Sequence, residues 1–170
     1  VLIGGCDKTV PAQLMGAASA NIPSIQLITG SMLTGSHRGQ VVGACTDCRR
    51  YWGRYRAEEI DAQEIAEVNN SLVASVGTCS VMGTASTMAC IAEALGMTVP
   101  GGATPPAVTS DRIRVAEDTG AQAVRMARDG LTIDKILTAD AFHNAMTVLL
   151  AIGGSTNGIV HLTAIAGRVG

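Results

Sequence analysis

Three residues with different metal chemistry stand side by side in "GGCDKTVP": Cys6, Asp7 and Lys8. A cysteine thiolate is the usual ligand for iron in iron–sulfur centres, and aspartate oxygen suits Mg²⁺. A lysine ammonium repels cations, but a buried neutral amine can take up CO₂ and become an anionic carbamate ligand. The run therefore indicates a site for two metals. The alternative, which the spacing alone favours, is a buried cysteine beside a surface Asp–Lys pair.

A second cysteine, Cys79, occupies a similar setting in "GTCSVMGTAST" (Gly77 to Thr87), a turn ahead of a helical pattern. Here too, the alternative interpretation is that the cysteine is a small side chain packed in the core, without a ligand role. Two cysteines in such turns favour a shared cluster more than either does alone. Iron–sulfur clusters normally take three or four protein ligands, so two thiols are an incomplete set.

The motif "CTDC" (Cys45 to Cys48) is an alternative source of chemistry. A C-x-x-C pair can form half of a zinc site or a redox pair. Two further zinc ligands are missing nearby, and the motif is interpreted as part of a polar loop rather than the start of a helix after a strand. Both features disfavour zinc and redox roles. His37, His143 and His161 are interpreted as structural histidines.

Composition limits the classes of function. The 170 residues are 47% hydrophobic and 15% charged, which is enough for a domain with its own core. A net charge of −2 and 2% aromatic residues argue against a nucleic-acid partner. No membrane span or signal peptide is recognised. Five cysteines, an odd number, favour a cytosolic protein with free thiols or metal ligands (Cys6, Cys45, Cys48, Cys79 and Cys90). Because the chain starts on an apolar run at Val1, we expect an internal piece of a longer protein.

The elements around the first motif form a predicted βαβ unit. Val1 to Ile3 is a short apolar run, a helix pattern follows from Thr9, and Ile22 to Thr29 is a second apolar run. Cys6 to Lys8 then lie at the carboxyl end of a strand and at a helix amino terminus. α/β proteins bind ligands at such strand ends, and the helix dipole there favours anions.

The remainder of the chain predicts more helices than strands. Thr29 to Gly53 shows no period and is expected to be a long functional or interface connection. Thr98 to Ala107 is a breaker-rich loop. Helices are predicted at Glu58 to Val76, Thr84 to Leu95, Ser110 to Arg128, after Thr138, and after Ser155 or Thr156. The predicted class is α/β: helix-rich, with a small parallel sheet flanked by helices.

Three long motifs in this order resemble the dihydroxy-acid and sugar-acid dehydratase family, which includes phosphogluconate dehydratase: "GGCDKTVPAQLMGAASANIPSI", "GTCSVMGTASTMACIAEALGM" and "AFHNAMTVLLAIGGSTNGIVHLTAIAG". The resemblance covers nearly the whole chain. It implies a hydro-lyase that removes water from a 2,3-dihydroxy acid and gives a 2-keto acid. It implies an iron–sulfur cluster, [2Fe–2S] or [4Fe–4S], acting as Lewis acid on the leaving hydroxyl, and Mg²⁺ stabilising enolate-like charge.

Carried over to this sequence, the resemblance makes Cys6 and Cys79 two of three cluster ligands. Asp7 becomes a Mg²⁺ ligand and Lys8 the lysine that is carboxylated to bind the same ion. Their side chains should then face one cleft, with Lys8 partly buried and without a carboxylate partner. Cys45 and Cys48 should lie away from this cleft. A structure without metals should show unsatisfied polar groups at the site.

The resemblance also implies what residues 1–170 should lack. They represent part of the N-terminal iron–sulfur and Mg-binding domain of a two-domain enzyme, so the third cysteine and the catalytic serine are expected elsewhere in the longer chain. No catalytic residue is assigned within 1–170. The partners expected are a dihydroxy-acid substrate and a second copy in a homodimer or homotetramer.

The segments "GTCSVMGTASTM" and "SHRGQVVGACTDCRRYWGRY" (Ser36 to Tyr55) resemble the sugar-acid members more than the branched-chain members, and this resemblance implies a sugar acid as substrate. The arginines of the second segment are carboxylate-binding or interface residues, or a solvated basic face (Arg49, Arg50 and Arg54). Two other functions stay open: a zinc or thiol-redox module built on Cys45 and Cys48, and a non-catalytic homologue.

Overall fold

The computed structural model describes all residues from 1 to 170, with seven α-helices, four short strands and one 3₁₀ turn. The strands are β1 (Leu2–Gly4), β2 (Gln26–Ile28), β3 (Gly35–His37) and β4 (Gln40–Val42). The helices are α1 (Thr9–Ala20), α2 (Thr46–Arg56), α3 (Ala62–Leu72), α4 (Thr84–Ala94), α5 (Ser110–Asp129), α6 (Ala139–Ala151) and α7 (Asn157–Ala166), with the 3₁₀ turn at Ile133–Lys135. The predicted helix-rich α/β class with a small parallel sheet is confirmed.

The predicted βαβ unit is present. β1 and β2 pair in parallel, with Leu2 opposite Gln26 and Gly4 opposite Ile28, and α1 connects them. Just after β2, an isolated bridge pairs Ser31 in parallel with Thr78. Since Thr78 directly precedes Cys79, the fold brings a distant part of the chain to the edge where β1 ends.

One apolar cluster forms most of the interior. It contains 17 buried residues from α1, β2, α4, α6, α7 and the turns between them, with Leu14, Met88 and Ile91 fully buried. α4 packs against α1, α6 and α7, which makes it the central helix. No helix is both long enough and apolar enough to cross a membrane.

The prediction of an irregular connection from Thr29 to Gly53 is wrong. β3 and β4 form an antiparallel hairpin, closed by Arg38 and Gly39, both with positive φ (49° and 79°). Two such residues are typical of the tight turn that matches strand twist. α2 then begins at Thr46, so the C-x-x-C motif opens a helix after a strand. A second, smaller cluster of six buried residues holds this region together: Val42, Tyr51, Ile60, Ile65, Val68 and Leu72.

A buried guanidinium fixes the carboxyl end of β2. Arg112, on α5, is 5% exposed and donates hydrogen bonds to the carbonyls of Ile28 (2.6 Å), Gly102 (2.8 Å) and Pro105 (2.5 Å). These bonds tie β2 to the predicted breaker-rich loop. Burial lowers the pKa of Arg112, but arginine stays protonated in proteins, so the clamp is permanent.

Other boundaries follow local capping. The helix predicted from Glu58 to Val76 is shorter, because the Asp61 side chain accepts a hydrogen bond from the Glu64 amide and starts α3 there. Thr138 caps α6 in the same way, as predicted, through the amide of Ala141.

Candidate metal and thiol site

The turn that contains Cys6 lies between β1 and α1. The Cys6 carbonyl accepts hydrogen bonds from the amides of Thr9 (3.1 Å) and Val10 (3.3 Å), so the turn is continuous with the first turn of the helix. Cys6, Asp7 and Lys8 therefore lie at the positive end of the α1 dipole, where a thiolate and a carboxylate are stabilised. Their predicted place at a strand end and a helix start is confirmed.

The turn that contains Cys79 lies against it. The Thr78 amide donates to the Gly30 carbonyl at 3.0 Å, which places Thr78 beside the end of β2. A Cβ atom added at Gly5 would overlap the Thr29 hydroxyl and lie 2.9 Å from the Thr78 methyl carbon. Glycine is thus required at position 5 by the close approach of two turns. Cys6 directly follows Gly5 and Cys79 directly follows Thr78, so the two cysteines are neighbours.

A third thiol, that of Cys45, lies near Cys79. Burial, and then the neighbouring Cys45 thiol by charge and hydrogen bonding, raises the pKa of Cys79; Cys6 acts in the same direction more weakly. The backbone agrees, because a Cβ at Gly43 would lie 2.7 Å from Cγ1 of Val81. The prediction that Cys45 lies away from the site is therefore wrong. Cys48 is half-buried and packs on the smaller apolar cluster.

The surroundings of Lys8 differ from the prediction. Its side chain is 64% exposed, and its ammonium lies 3.4 Å from Oδ2 of Asp7, so Lys8 is neither buried nor without a carboxylate partner. Both expectations about Lys8 are wrong. The ammonium also lies 3.4 Å from Nε2 of His161, on α7.

His161 is the neighbour that the sequence interpretation missed. Burial, and then the Lys8 ammonium, lowers the pKa of His161, while Asp7 acts in the opposite direction. A lowered pKa keeps the imidazole neutral near pH 7, so Nε2 can accept from the Lys8 ammonium. The available signal was its place four residues after Asn157, one helical turn along the motif "GGSTNGIVH".

A hydroxyl network positions the helix that carries His161. The Thr84 hydroxyl lies 2.8 Å from that of Ser155, and the side-chain amide of Asn157 donates to the Thr84 hydroxyl at 3.2 Å. The Ser155 amide donates to the Thr87 hydroxyl at 3.0 Å. These bonds join the start of α4, which follows the Cys79 turn, to the start of α7.

The predicted unsatisfied polar groups are not at this site. The buried side-chain atoms without a hydrogen-bond partner belong to Gln26, His37, Thr98 and Arg112. The site has no such atoms among Cys6 and Lys8 because both residues are exposed, so their polar atoms face solvent. The arginines predicted as carboxylate-binding, interface or solvated residues show surface ion pairs, Arg50 with Asp47 (2.6 Å) and Arg54 with Glu59 (3.3 Å).

The donor set fits an iron–sulfur cluster and Mg²⁺ in kind and is incomplete in number. Two thiols on touching turns are the soft ligands that iron requires, and Asp7 is a hard oxygen ligand beside them. Within this chain, no three His, Cys, Asp or Glu side chains converge closely enough to hold an ion. Residues 1–170 can therefore provide part of a coordination shell.

Residues 1–170 match the family described as dihydroxy-acid/6-phosphogluconate dehydratase, N-terminal. The chain is 49% identical over 170 residues to an L-arabinonate dehydratase of Rhizobium leguminosarum bv. trifolii, covering 100% of this chain and 29% of that protein. It is 44% identical over 168 residues to a dihydroxy-acid dehydratase of Sulfolobus acidocaldarius (99% and 30%). It is 41% identical over 170 residues to a dihydroxy-acid dehydratase of Metallosphaera sedula (100% and 30%). The chain thus spans about 30% of the length of these relatives.

Proposed function

Because the chain belongs to the dihydroxy-acid/6-phosphogluconate dehydratase family, we propose that it is the cofactor-binding part of a hydro-lyase that converts a 2,3-dihydroxy acid into a 2-keto acid. The observation that supports this function most directly is the contact of the two turns at Gly5 and Thr78. It brings the two cysteines implied by the family resemblance to one edge of the sheet, next to Asp7 and Lys8.

In this proposal Cys6 and Cys79 bind the iron–sulfur cluster, and Asp7 and carboxylated Lys8 bind Mg²⁺. When bound, the two groups supply Lewis acidity at the leaving hydroxyl and at the carboxylate end of the substrate. The chain's own contribution is to hold the donors in place. Cys6 and Asp7 lie directly before α1, so both donors are held beside the amino terminus of that helix. His161 limits where the Lys8 side chain can go, through their 3.4 Å contact.

For the substrate we propose a sugar acid, such as a pentonate or hexonate. The support is the resemblance of the segment from Ser36 to Tyr55 to sugar-acid members, together with the 49% identity to a protein named for L-arabinonate. Relatives named for dihydroxy acids are 41% and 44% identical, so the branched-chain substrate is the competitor to test. We further propose a cytoplasmic homodimer or homotetramer, with the remaining ligand and the proton-abstracting residue supplied outside residues 1–170.

The test uses the full-length protein, purified without oxygen. Iron and sulfide are measured, and keto-acid formation is followed with a panel of aldonates and with 2,3-dihydroxyisovalerate. We expect iron and sulfide in the protein, turnover of one or more aldonates, and loss of both cluster and turnover in Cys6→Ser and Cys79→Ser. Cys90→Ser is the matched control, since Cys90 lies on α4 outside the proposed ligand set. Turnover of the branched-chain acid alone would refute the substrate assignment.

The two other interpretations give different results. A zinc module built on Cys45 and Cys48 requires stoichiometric zinc that is lost on changing Cys48, with no iron or sulfide. A non-catalytic homologue binds cofactors or lacks them but turns over no acid in the panel.

The variant Asp7→Asn distinguishes the Mg²⁺ site from the iron site. We expect the iron content to stay and the Mg²⁺ concentration for half-maximal activity to rise more than tenfold, because one charged oxygen ligand is lost.

A further inference from the structure

Cys45 and Cys48 are two thiols to which the proposed function gives no role. Cys45 is the N-cap of α2 and Cys48 lies three residues later, so both are in the first turn. Residues three apart on a helix have Cβ atoms about 5–6 Å apart, and a disulfide needs about 3.5–4.5 Å. The required closure is small. It falls at a helix end, where the first amides have no intrahelical partner to lose.

The two thiols differ in accessibility in the way that exchange chemistry requires. Cys45 is exposed and its side chain makes no capping bond, whereas Cys48 is half-buried against the smaller apolar cluster. An exposed thiol is the one that a disulfide in solution can reach first, and a sheltered thiol one turn away can then resolve the mixed disulfide. Asp47, between them, accepts a hydrogen bond from the Gly43 amide at 2.8 Å and fixes the turn from β4 into α2.

Cys79 offers a second possible partner for Cys45, because its turn lies close to the start of α2. The chain just before Cys45 touches the chain just after Cys79, through Gly43 and Val81. Cys79 is therefore the alternative partner that the test must distinguish from Cys48.

We propose that Cys45 and Cys48 are a redox-active pair that forms a reversible disulfide with glutathione as the co-reactant. The Cys45 thiolate attacks oxidised glutathione, forming a mixed disulfide and releasing one reduced glutathione. The Cys48 thiolate then attacks the Cys45 sulfur and releases the second reduced glutathione. The two thiol protons end on the two glutathione molecules, which together gain two electrons. The reaction needs no metal at Cys79, so this inference is independent of the proposed function.

The tryptic peptide from 39 to 49 makes the test direct. It is bounded by Arg38 and Arg49 and contains Cys45 and Cys48 but no other cysteine. The full-length protein is equilibrated with glutathione at graded ratios of oxidised to reduced form, and its free thiols are alkylated. After digestion with trypsin, the mass of the peptide is measured by mass spectrometry. We expect a form without alkyl groups, lighter by two hydrogens than the dithiol, that rises with the oxidised fraction and disappears on reduction.

Single variants then assign the steps. In Cys48→Ser the internal disulfide is lost, and Cys45 carries glutathione or is joined to the peptide from 57 to 112, which contains Cys79. In Cys45→Ser, an exposed and conservative change, neither product forms. Cys90→Ser should form the same disulfides as the unmodified protein. This change also leaves Cys79 as the only cysteine in the peptide from 57 to 112.

Two results would overturn the inference. One is full alkylation of both cysteines at every glutathione ratio. The other is an unmodified protein in which glutathione stays on Cys45 without passing to the internal disulfide.

Discussion

Two regions of this chain hold thiols at the same place by different means. The first, here called the main region, comprises β1, α1, β2, α4, α6 and α7 around 17 buried apolar residues, and it positions Cys6 and Cys79. The second, the hairpin region, comprises β3, β4, α2 and α3 around six such residues, and it positions Cys45 and Cys48. Because apolar burial is the dominant favourable term in folding, the two turns of the main region have the stronger support.

The hairpin region relies more on polar and aromatic contacts. Glu64 lies 3.0 Å from Arg38 and 3.6 Å from the buried His37, whose ring packs edge-on against Tyr51. The Trp52 indole donates to Asn69 at 3.2 Å and joins α2 to α3. The pair with Arg38, whose side chain is 65% exposed, contributes about 0–1 kcal/mol. We infer that the hairpin region opens before the main region, which leaves the Cys45 and Cys48 thiols more accessible than those of a fixed ligand set.

The largest effect should come from one substitution made in both cores. Leu14→Ala removes a fully buried side chain of the main region, and Leu72→Ala removes one that is 5% exposed in the hairpin region. We expect Leu14→Ala to lower the free energy of unfolding by about 3–5 kcal/mol and Leu72→Ala to lower it by about 2–3 kcal/mol. The second loss is smaller because the smaller cluster can collapse around the gap. Hydrogen exchange of the full-length protein, read separately in α1 and α3, measures both. Equal losses would remove the distinction between the regions.

The next largest effect concerns the glycines that let turns approach. Gly5→Ala drives a methyl group into Thr29 and Thr78, and we expect a cost of about 1–3 kcal/mol together with loss of bound iron. Gly43→Ala meets a single side-chain methyl group, Cγ1 of Val81, instead of two neighbouring residues, so the cost should be smaller, about 1 kcal/mol. Gly16→Ala, with open space around it in α1, is the control and should stabilise slightly. A full iron content in Gly5→Ala would argue against a tight turn.

A smaller effect should follow from removing one helix cap in each region. Asp61→Ala takes away the acceptor for the Glu64 amide at 2.8 Å, and Thr138→Ala the acceptor for the Ala141 amide at 3.3 Å. We expect about 1 kcal/mol for Asp61, and less for Thr138 because its bond is longer and uncharged. Amide exchange at the first turns of α3 and α6 is the measurement. A greater loss at α6 would contradict this order.

The smallest effect is a pH dependence at the junction with α7. The pKa of His161 is lowered in the folded state by burial and by Lys8, so the unfolded state binds a proton more readily. Stability from this group is present above the unfolded pKa of about 6.5 and is lost as the pH falls below it. In metal-free, bicarbonate-free protein, thermal stability should therefore fall more steeply from pH 7 to pH 5 than in His161→Gln. Parallel curves for the two proteins would contradict it.

Local signals were sufficient for most of the main region. Apolar runs around a helical pattern predicted the βαβ unit, and Thr138 predicted the start of α6, because both depend on residues close in sequence. The hairpin region was missed for the same reason. Its strands are three residues long, and their pairing depends on positive φ at Arg38 and Gly39 and on burial against α3, which no short window reports.

The sequence by itself determined the kinds of donor at the site and the family, since Cys6, Asp7 and Lys8 are adjacent and the motif around Cys79 is long. Only the tertiary structure decided what surrounds them. Cys45 lies beside Cys79, Lys8 is exposed beside Asp7, and His161 reaches Lys8 from 153 residues away. The reason is physical: a ligand type is a property of one side chain. Burial and proximity arise where separate helices and turns pack together, and they have no counterpart in local sequence.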